Sequence, residues 1–230
     1  MPKYKIMFAK TGMSRFISHL DLSRLFERAF RRAGLPMAFS KGFNPHPKMS
    51  IAAPLAVGIA GERELLEIEL TEEINSGEIA RRLNEKLPEG VKVLAVQRAG
   101  EQKKSLMALV ERAAYRIECT AAESVDQQEI DQVIGSLLNC SSIIVQRKVK
   151  NKIKETDIRP GIWALEGRVD NGNIIIEAEL STGNKGTVRP EELIKELEKA
   201  GLPINCACCR IYRTGLYGDG GEGIKELWQA

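Results

Sequence analysis

The chain has 230 residues, 43% of them hydrophobic, and a formal net charge of +3. This length and composition allow one large domain or two small ones, and they exclude a chain that is disordered throughout. No signal peptide is predicted, and the longest apolar run, Ile51 to Ala60, is short and contains Pro54. We therefore expect a soluble cytoplasmic protein without membrane contact.

The positive charge is concentrated at the start of the chain. Residues 1–50 carry ten Lys and Arg against two acidic residues, whereas the remaining residues have a net charge of −5. Local charge, rather than total charge, controls the attraction of a charged ligand. The asymmetry predicts an anionic partner, with nucleic acid as the first candidate.

The first hundred residues follow the order strand, helix, strand, strand, helix, strand. We predict these elements at Lys3 to Ala9, Ser18 to Ala33, Lys48 to Gly58, Leu65 to Leu70, Ser76 to Leu87 and Val91 to Gln97. This order is typical of the split βαβ, ferredoxin-like pattern.

The first helix has the clearest sequence pattern. Ser18 with Asp21 three positions later resembles a capping box, and Gly34 with Pro36 ends the helix. Apolar residues at i, i+3, i+4 spacing form its predicted core face, at Leu22, Leu25, Phe26, Ala29, Phe30 and Ala33.

The opposite face of this helix is basic. It carries Arg24, Arg28 and Arg31, with Arg32 close by. We expect Arg24, Arg28 and Arg31 to contact phosphates. The alternative is an ordinary solvated helix face.

The segment from Pro36 to Gly58 follows this helix and reads PMAFSKGFNPHPKMSIAAPLAVG. Its Gly and Pro residues fix the backbone, and shaped loops often carry binding groups. The candidate contacts are Lys41, Phe43, Asn44, His46 and Lys48. We expect the lysines to bind phosphate and the other three to shape a nucleotide pocket, with Phe43 stacking on an unpaired base.

The chain has two histidines, His19 and His46. With nearby lysines to stabilise a developing phosphorane charge, they would suffice as catalytic residues for metal-independent RNA cleavage. One alternative is that His19 only forms hydrogen bonds where the helix begins, while His46 fixes the loop or stacks on a base. A two-histidine metal site with Asp21 is another.

The pattern repeats after a polar bridge at residues 100–105. The elements predicted there are Ala114 to Thr120, Asp126 to Leu138, Ile143 to Lys150, Gly161 to Val169, Asn173 to Leu180, Pro190 to Ala200 and Cys206 to Tyr212. Asn171-Gly172 predicts a tight hairpin turn, and Pro190 fits the first turn of a helix.

The predicted fold class is α+β, with antiparallel sheets in two tandem ferredoxin-like halves. The halves span residues 1–100 and 106–214. A flexible, glycine-rich tail is predicted at residues 215–230.

A second basic segment runs from Arg147 to Arg159 and holds six Lys and Arg against two acidic residues. On a single strand, alternation would put four amines on one side, those of Lys148, Lys150, Lys152 and Lys154. We take Lys150, Lys152 and Arg159 as candidate RNA contacts. The alternative is a charged strand edge that prevents aggregation.

Five cysteines, an odd number without framework spacing, favour reduced thiols in a half-buried strand over disulfides. Cys206 and Cys209 form a CxxC, but a zinc site would also require the distant Cys119 and Cys140. The loop from Ser181 to Thr187 lacks the GxxxxGK[ST] spacing, so a plain turn is favoured over a phosphate loop. We predict no metal site and no cofactor.

Four motifs carry a resemblance to a known family. They are RFISHLDLSRLFERAFRRAGLP at Arg15 to Pro36, FSKGFNPHPKMSIAAPLAVG at Phe39 to Gly58, KETDIRPGI at Lys154 to Ile162 and GTVRPEEL at Gly186 to Leu193. Over residues 2–215 the chain resembles the bacterial radical SAM-associated family, a domain of unknown function.

The resemblance implies a radical SAM protein as partner, because members occur beside, or fused to, such a protein with a cobalamin-binding-like domain. It also suggests a role on RNA or a ribosomal component. The chain lacks the CxxxCxxC cluster cysteines, so radical chemistry would belong to the partner. We expect an RNA-binding or substrate-presenting subunit that is not itself an enzyme. The alternatives are the endoribonuclease using His19 and His46, and a protein-interaction subunit without nucleic acid.

Overall fold

The computed structural model describes residues 1–100, 104–121, 125–150, 152–183, 186–219 and 223–229. The strands are β1 (Lys3–Lys10), β2 (Met49–Ile51), β3 (Ala60–Glu69), β4 (Val91–Arg98), β5 (Val110–Thr120), β6 (Ile144–Val149), β7 (Lys152–Asp157), β8 (Ile162–Asp170), β9 (Asn173–Ser181), β10 (Arg210–Asp219) and β11 (Ile224–Glu226). The helices are α1 (His19–Arg32), α2 (Ser76–Asn84), α3 (Leu106–Leu109), α4 (Gln127–Asn139) and α5 (Pro190–Lys199).

The chain folds into two compact units. Unit 1 comprises Met1–Glu111 and Arg213–Ala230, and unit 2 comprises Arg112–Tyr212. The fold class is α+β, and the strand pairings within each unit include several antiparallel ladders. No helix among the described residues is long and apolar enough to cross a membrane.

The sheet of unit 1 has the order β4-β1-β3-β10, with β2 paired to β3 and β11 paired to β10. Helices α1 and α2 share one apolar core with β1 and β3, in which the Phe8 and Phe26 rings meet edge to face at 4.8 Å. The predicted core face of α1 is buried, and Ser18 caps the helix by accepting a hydrogen bond from the Asp21 amide. The amphipathic pattern thus positions α1 with its arginine face outward.

The predicted strand from Lys48 to Gly58 is wrong in its length, because β2 ends at Ile51. Pro54 has no N–H to donate to a ladder, so the chain leaves the sheet before it. The carbonyls of Ala53 and Pro54 instead accept hydrogen bonds from the Arg213 guanidinium at 2.9 and 3.0 Å. Ala52, Ala53 and Leu55 are buried, whereas Pro54, Ala56 and Val57 are exposed, so the prediction of a buried strand is also wrong for this part of the segment.

The predicted flexible tail is also wrong over its first residues, since β10 runs to Asp219 and β11 pairs with it. A Cβ on Gly218 would overlap the Leu109 carbonyl, so this glycine permits a close backbone approach rather than flexibility. Leu227 is fully buried in unit 1. Leu227 is therefore part of the core of this unit.

Unit 2 contains the strand order β5-β9-β8. The predicted hairpin turn joins β8 to β9, with φ of 50° at Asn171 and 78° at Gly172. A Cβ on Gly167 would lie 2.6 Å from Ile130, which shows how closely α4 packs on β8. Pro190 stands in the first turn of α5, as predicted.

The basic segment of unit 2 is a hairpin rather than one strand, because the chain reverses between β6 and β7. Lys150 lies in the turn with φ of 53°. Lys148 pairs with Ile153 and Val149 pairs with Lys152, so Lys148 and Lys152 lie on opposite faces. The prediction of four amines on one side is wrong.

The prediction of reduced thiols throughout is wrong for two of the five cysteines. Cys119 and Cys209 form a disulfide with their Cα atoms 4.4 Å apart, across a sequence separation of 90. Residues Cys206–Cys208 form a 3-10 turn, and the strand begins only at Arg210. The pairing could not be derived from spacing, because it depends on where β5 ends in the folded unit.

Candidate nucleic-acid interface

The loop from Ser40 to Pro47, hereafter the GFNPHP loop, is closed at its base by hydrogen bonds. The Ser40 amide donates to the His46 carbonyl at 2.9 Å, and the His46 amide donates to the Ser40 Oγ at 3.0 Å. Phe39 and Pro47 form an isolated bridge just outside this pair. These bonds hold the tip, residues 41–45, as a projecting turn.

A cleft of about 450 Å³, the α1–loop cleft, lies between α1 and the GFNPHP loop. Its apolar wall comes from the segment after the helix and from the prolines of the loop, at Leu35, Met37, Phe39, Pro45 and Pro47. Its polar groups are Glu27, Arg28, Arg31 and His46. The volume is in the range of pockets that hold one small ligand.

The two arginines of this cleft are available to a ligand. Arg28 and Arg31 are exposed, and neither has an ion pair or a hydrogen-bond partner among the described residues. They are three residues apart on a helix, so their Cβ atoms lie about 5–6 Å from each other. Two adjacent guanidiniums at this spacing suit a phosphate, which accepts paired N–H donors.

Two other predicted phosphate contacts of unit 1 already have carboxylate partners. Arg24 lies 3.5 Å from Asp21 on the same exposed helix turn. The Lys48 amine lies 3.0 Å from both carboxylate oxygens of Glu69, and Lys48 lines a separate cleft of about 230 Å³ with Glu67. Both side chains lie outside the α1–loop cleft.

The tip of the GFNPHP loop presents Lys41, Phe43 and Asn44 to solvent. The Phe43 side chain is fully exposed, at 105% of its reference area. A loop aromatic in this state packs on no core, so its ring is free to stack on a base. None of the three residues lines the α1–loop cleft.

The two histidines occupy different surroundings. His46 lines the α1–loop cleft, whereas His19 is the first residue of α1, eight positions before Glu27. Eight residues of helix rise about 12 Å, so the cleft does not combine the two imidazoles. The His19 Nδ1 atom is buried without a hydrogen-bond partner among the described residues.

The predicted contacts of unit 2 are divided between the hairpin and a structural position. Lys150 and Lys152 are exposed at the β6–β7 turn. Arg159 is half-buried and donates to the carbonyls of Leu138 and Ile162 at 2.8 to 3.2 Å. Its guanidinium therefore caps the end of α4. In the predicted Ser181–Thr187 loop, residues 184 and 185 lie outside the described residues.

Unit 1 also contains a buried charge cluster that was not predicted from the sequence. Arg213 binds Glu64 through two hydrogen bonds of 2.8 and 2.5 Å, and both side chains are 2% exposed. Lys10 donates to the carbonyls of Arg15 and Ile17. Burial lowers the pKa of Lys10, the Glu64 carboxylate opposes that shift, and Arg213 adds to it.

This cluster fixes the chain on both sides of the site. Lys10 holds the turn that leads into α1, and Arg213 holds the segment that follows β2. The pairing between Arg213 and Glu64 spans 149 residues, so no local sequence signal could have revealed it. The sequence analysis also did not identify Glu27 and Met37 as site residues. For Glu27 there was a signal, because its i, i+4 spacing from Arg31 places both side chains on one face of the helix.

Among the described residues, no group of three or more His, Cys, Asp or Glu side chains could hold a metal ion. The α1–loop cleft combines cationic donors with apolar side chains, which is the composition of a binding site.

Comparison with solved structures shows a shared fold. The chain is similar to a chain in the crystal structure of a Cbf5-Nop10-Gar1 complex, with a TM-score of 0.54 and 11% identity over 93% of this chain. It spans about half of that chain, 48%. An unknown protein from Galdieria sulphuraria gives a TM-score of 0.27 and 12% identity, with 98% of each chain covered.

Comparison by sequence identifies the family. No curated protein matches the chain significantly. The family model described as "Uncharacterized protein conserved in bacteria (DUF2344)" matches residues 3–190, which is most of the chain. The chain belongs to this family.

Proposed function

We propose that this protein is an RNA-binding subunit that holds a nucleotide in the α1–loop cleft and presents the RNA to a radical SAM partner. One observation carries the proposal. Arg28 and Arg31, without partners among the described residues, line a cleft of about 450 Å³ together with several apolar side chains. Cationic donors and apolar groups in one cleft match the two parts of a nucleotide, its phosphate and its base.

Each group of the site has a role in this proposal. Arg28 and Arg31 bind phosphate, and the wall formed by Met37, Phe39 and Pro45 packs on a base. His46 lines the same cleft and donates to the sugar or phosphate. Phe43 at the loop tip stacks on a neighbouring unpaired base, which is the usual mode of single-stranded RNA recognition.

The hairpin of unit 2 provides further phosphate contacts. Lys150 and Lys152 are exposed at its turn, and the hairpin carries a net positive charge. Such contacts add affinity without reading sequence. Arg159 has no part in this proposal, because backbone carbonyls occupy its guanidinium.

The radical SAM partner is supported by the sequence resemblance given above. We also propose that both units follow the split βαβ plan, which the order β4-β1-β3, with β2 on β3, supports in unit 1.

The test of RNA binding is a filter-binding titration with total cellular RNA between roughly 50 and 200 mM salt. We expect steep salt dependence for the unmodified protein. The Arg28→Ala/Arg31→Ala variant should weaken binding and reduce the magnitude of the salt slope by about 1 to 2, since two phosphate contacts are lost.

A matched control removes two positive charges elsewhere in unit 1. Arg63 and Arg98 are exposed and form ion pairs with Glu226 and Glu73, outside the cleft. The Arg63→Ala/Arg98→Ala variant should retain the salt slope. Equal losses of RNA affinity in both variants, or an affinity that does not change with salt concentration, would show that the cleft is not the RNA site. Co-purification of a polypeptide after nuclease treatment separates a direct protein partner from one bridged by RNA.

A further inference from the structure

The α1–loop cleft contains one carboxylate, and phosphate binding does not explain it. Glu27 lies on the same helix face as Arg31, is half-buried, and lines the cleft with the two arginines. It has no ion pair or hydrogen-bond partner among the described residues. A carboxylate that only neutralised the arginines would lie against one of them, and this one does not.

An ionised carboxylate accepts hydrogen bonds and donates none. It therefore repels a phosphate and attracts N–H groups, so a nucleotide in this cleft has a preferred orientation. The phosphate lies toward Arg28 and Arg31, and the donor edge of the base lies toward Glu27. Glu27 and Arg31 are about 6 Å apart along the helix axis, which lets one nucleotide reach both.

The four RNA bases differ in what they offer a carboxylate. Guanine presents two adjacent donors, N1–H and the N2 amino group, which match the two carboxylate oxygens. Adenine and cytosine each place a ring acceptor beside their single amino donor, and uracil places carbonyl oxygens on both sides of its N3–H. Only guanine can bind both oxygens without repulsion from a neighbouring acceptor.

From this we infer that the α1–loop cleft selects guanine in unpaired RNA, with Glu27 as the residue that reads the base. The inference rests on the proposed RNA-binding function and names the base preference of the same site. The apolar wall contributes to affinity for any base, because stacking and packing do not depend on sequence. Specificity comes from the carboxylate alone.

The experiment measures binding of four fluorescent hexanucleotides by anisotropy. Each is single-stranded oligouridine with one central position changed to G, A or C, or left as U. A good bidentate contact discriminates between bases by about tenfold or more. Because guanine alone can make this bidentate contact with Glu27, we expect the G-containing RNA to bind at least about tenfold more tightly than the other three RNAs.

Two variants locate the preference. Glu27→Ala should bring all four RNAs to similar affinity, and Glu27→Gln should reduce the preference because an amide offers one acceptor and two donors. Glu89→Gln is the matched control, since Glu89 is exposed in the turn before β4 beside Ser14, away from the cleft. It should keep the preference.

The outcomes separate this inference from the proposed function. If the unmodified protein binds all four RNAs equally, guanine selection is wrong, while RNA binding through Arg28 and Arg31 stands. A guanine preference that survives Glu27→Ala shows that another residue reads the base and overturns the role of Glu27. If no RNA binds, both the inference and the proposed function fail.

Discussion

The ion pair between Arg213 and Glu64 should be a major determinant of the stability of unit 1. Both side chains are 2% exposed, and within the described part of the chain the guanidinium donates two hydrogen bonds to Glu64 and one each to the carbonyls of Ala53 and Pro54. Substitution of Arg213 by Ala would leave the buried Glu64 carboxylate and the carbonyls of Ala53 and Pro54 without these donors. The substitution therefore removes one side chain and leaves three acceptor groups without the hydrogen bonds that Arg213 donates to them.

The size of the effect follows from this geometry. Removing one partner of a buried pair costs about 3–5 kcal/mol, because the remaining charge stays desolvated. Lys10 is close enough to interact with Glu64 and remains in the variant. We therefore expect Arg213→Ala to lower the free energy of unfolding by about 3 kcal/mol, at the low end of that range.

The assay is urea unfolding followed by tryptophan fluorescence. Trp163 lies in unit 2 and Trp228 lies in unit 1, so a Trp163→Phe background makes Trp228 the reporter of unit 1. Arg98→Ala is the control, because the Arg98–Glu73 pair also lies in unit 1, has side chains that are 64% and 60% exposed, and is worth at most about 1 kcal/mol.

Two results would refute this reasoning. The first is a loss of unfolding free energy in Arg213→Ala that is no greater than the loss in Arg98→Ala. The second concerns the double variant Arg213→Met/Glu64→Leu, which removes both charges and should be more stable than Arg213→Ala. If the double variant is the less stable of the two, the uncompensated carboxylate is not the cause.

Two further predictions concern pH and redox state. Hydrogen bonds from Arg81 and Arg82 lower the pKa of Glu78 from 4.5 to about 2, so its stabilising effect on α2 is present above pH 4.5 and lost as the pH falls toward 2. Glu78→Gln should therefore have a lower melting temperature than the unmodified protein at pH 7, and the difference should shrink between pH 4.5 and 2; a constant difference would contradict this. Reduction of the Cys119–Cys209 disulfide, which closes a loop with a sequence separation of 90, should lower the free energy of unfolding by about 2–4 kcal/mol. Urea titrations with and without dithiothreitol measure this loss of unfolding free energy. The Cys119→Ser variant is the control and should not respond to dithiothreitol. An unchanged unfolding midpoint in the unmodified protein would show that the disulfide adds no stability.

The sequence was a reliable guide wherever a local rule decided the structure. Helix α1 was predicted from its apolar spacing and its Ser18 cap, and both are present. The turn at Asn171-Gly172 was predicted from the need for positive φ at both positions, and the structure has it. In each case the residues that interact are within a few positions of one another.

The same rules failed where a distant residue changed the outcome. The apolar run after Met49 was predicted as a strand, but the ladder ends before Pro54, and Arg213 donates hydrogen bonds to the carbonyls of Ala53 and Pro54. The glycines after Gly215 were predicted as a linker, but at Gly218 the missing side chain admits the Leu109 backbone. Composition alone cannot distinguish a glycine that gives flexibility from one that allows close packing.

The candidate site shows the same division. The sequence by itself determined that Arg28, Arg31 and His46 would be exposed on a basic helix and a shaped loop, because amphipathic spacing and Gly and Pro content are local properties. Only the tertiary structure decided that these three share a cleft with Glu27, while Arg159 is bound by backbone carbonyls and His19 lies about 12 Å along the helix. Which side chains meet depends on how the loop folds back on α1, and hydrogen bonds at the base of that loop set this position.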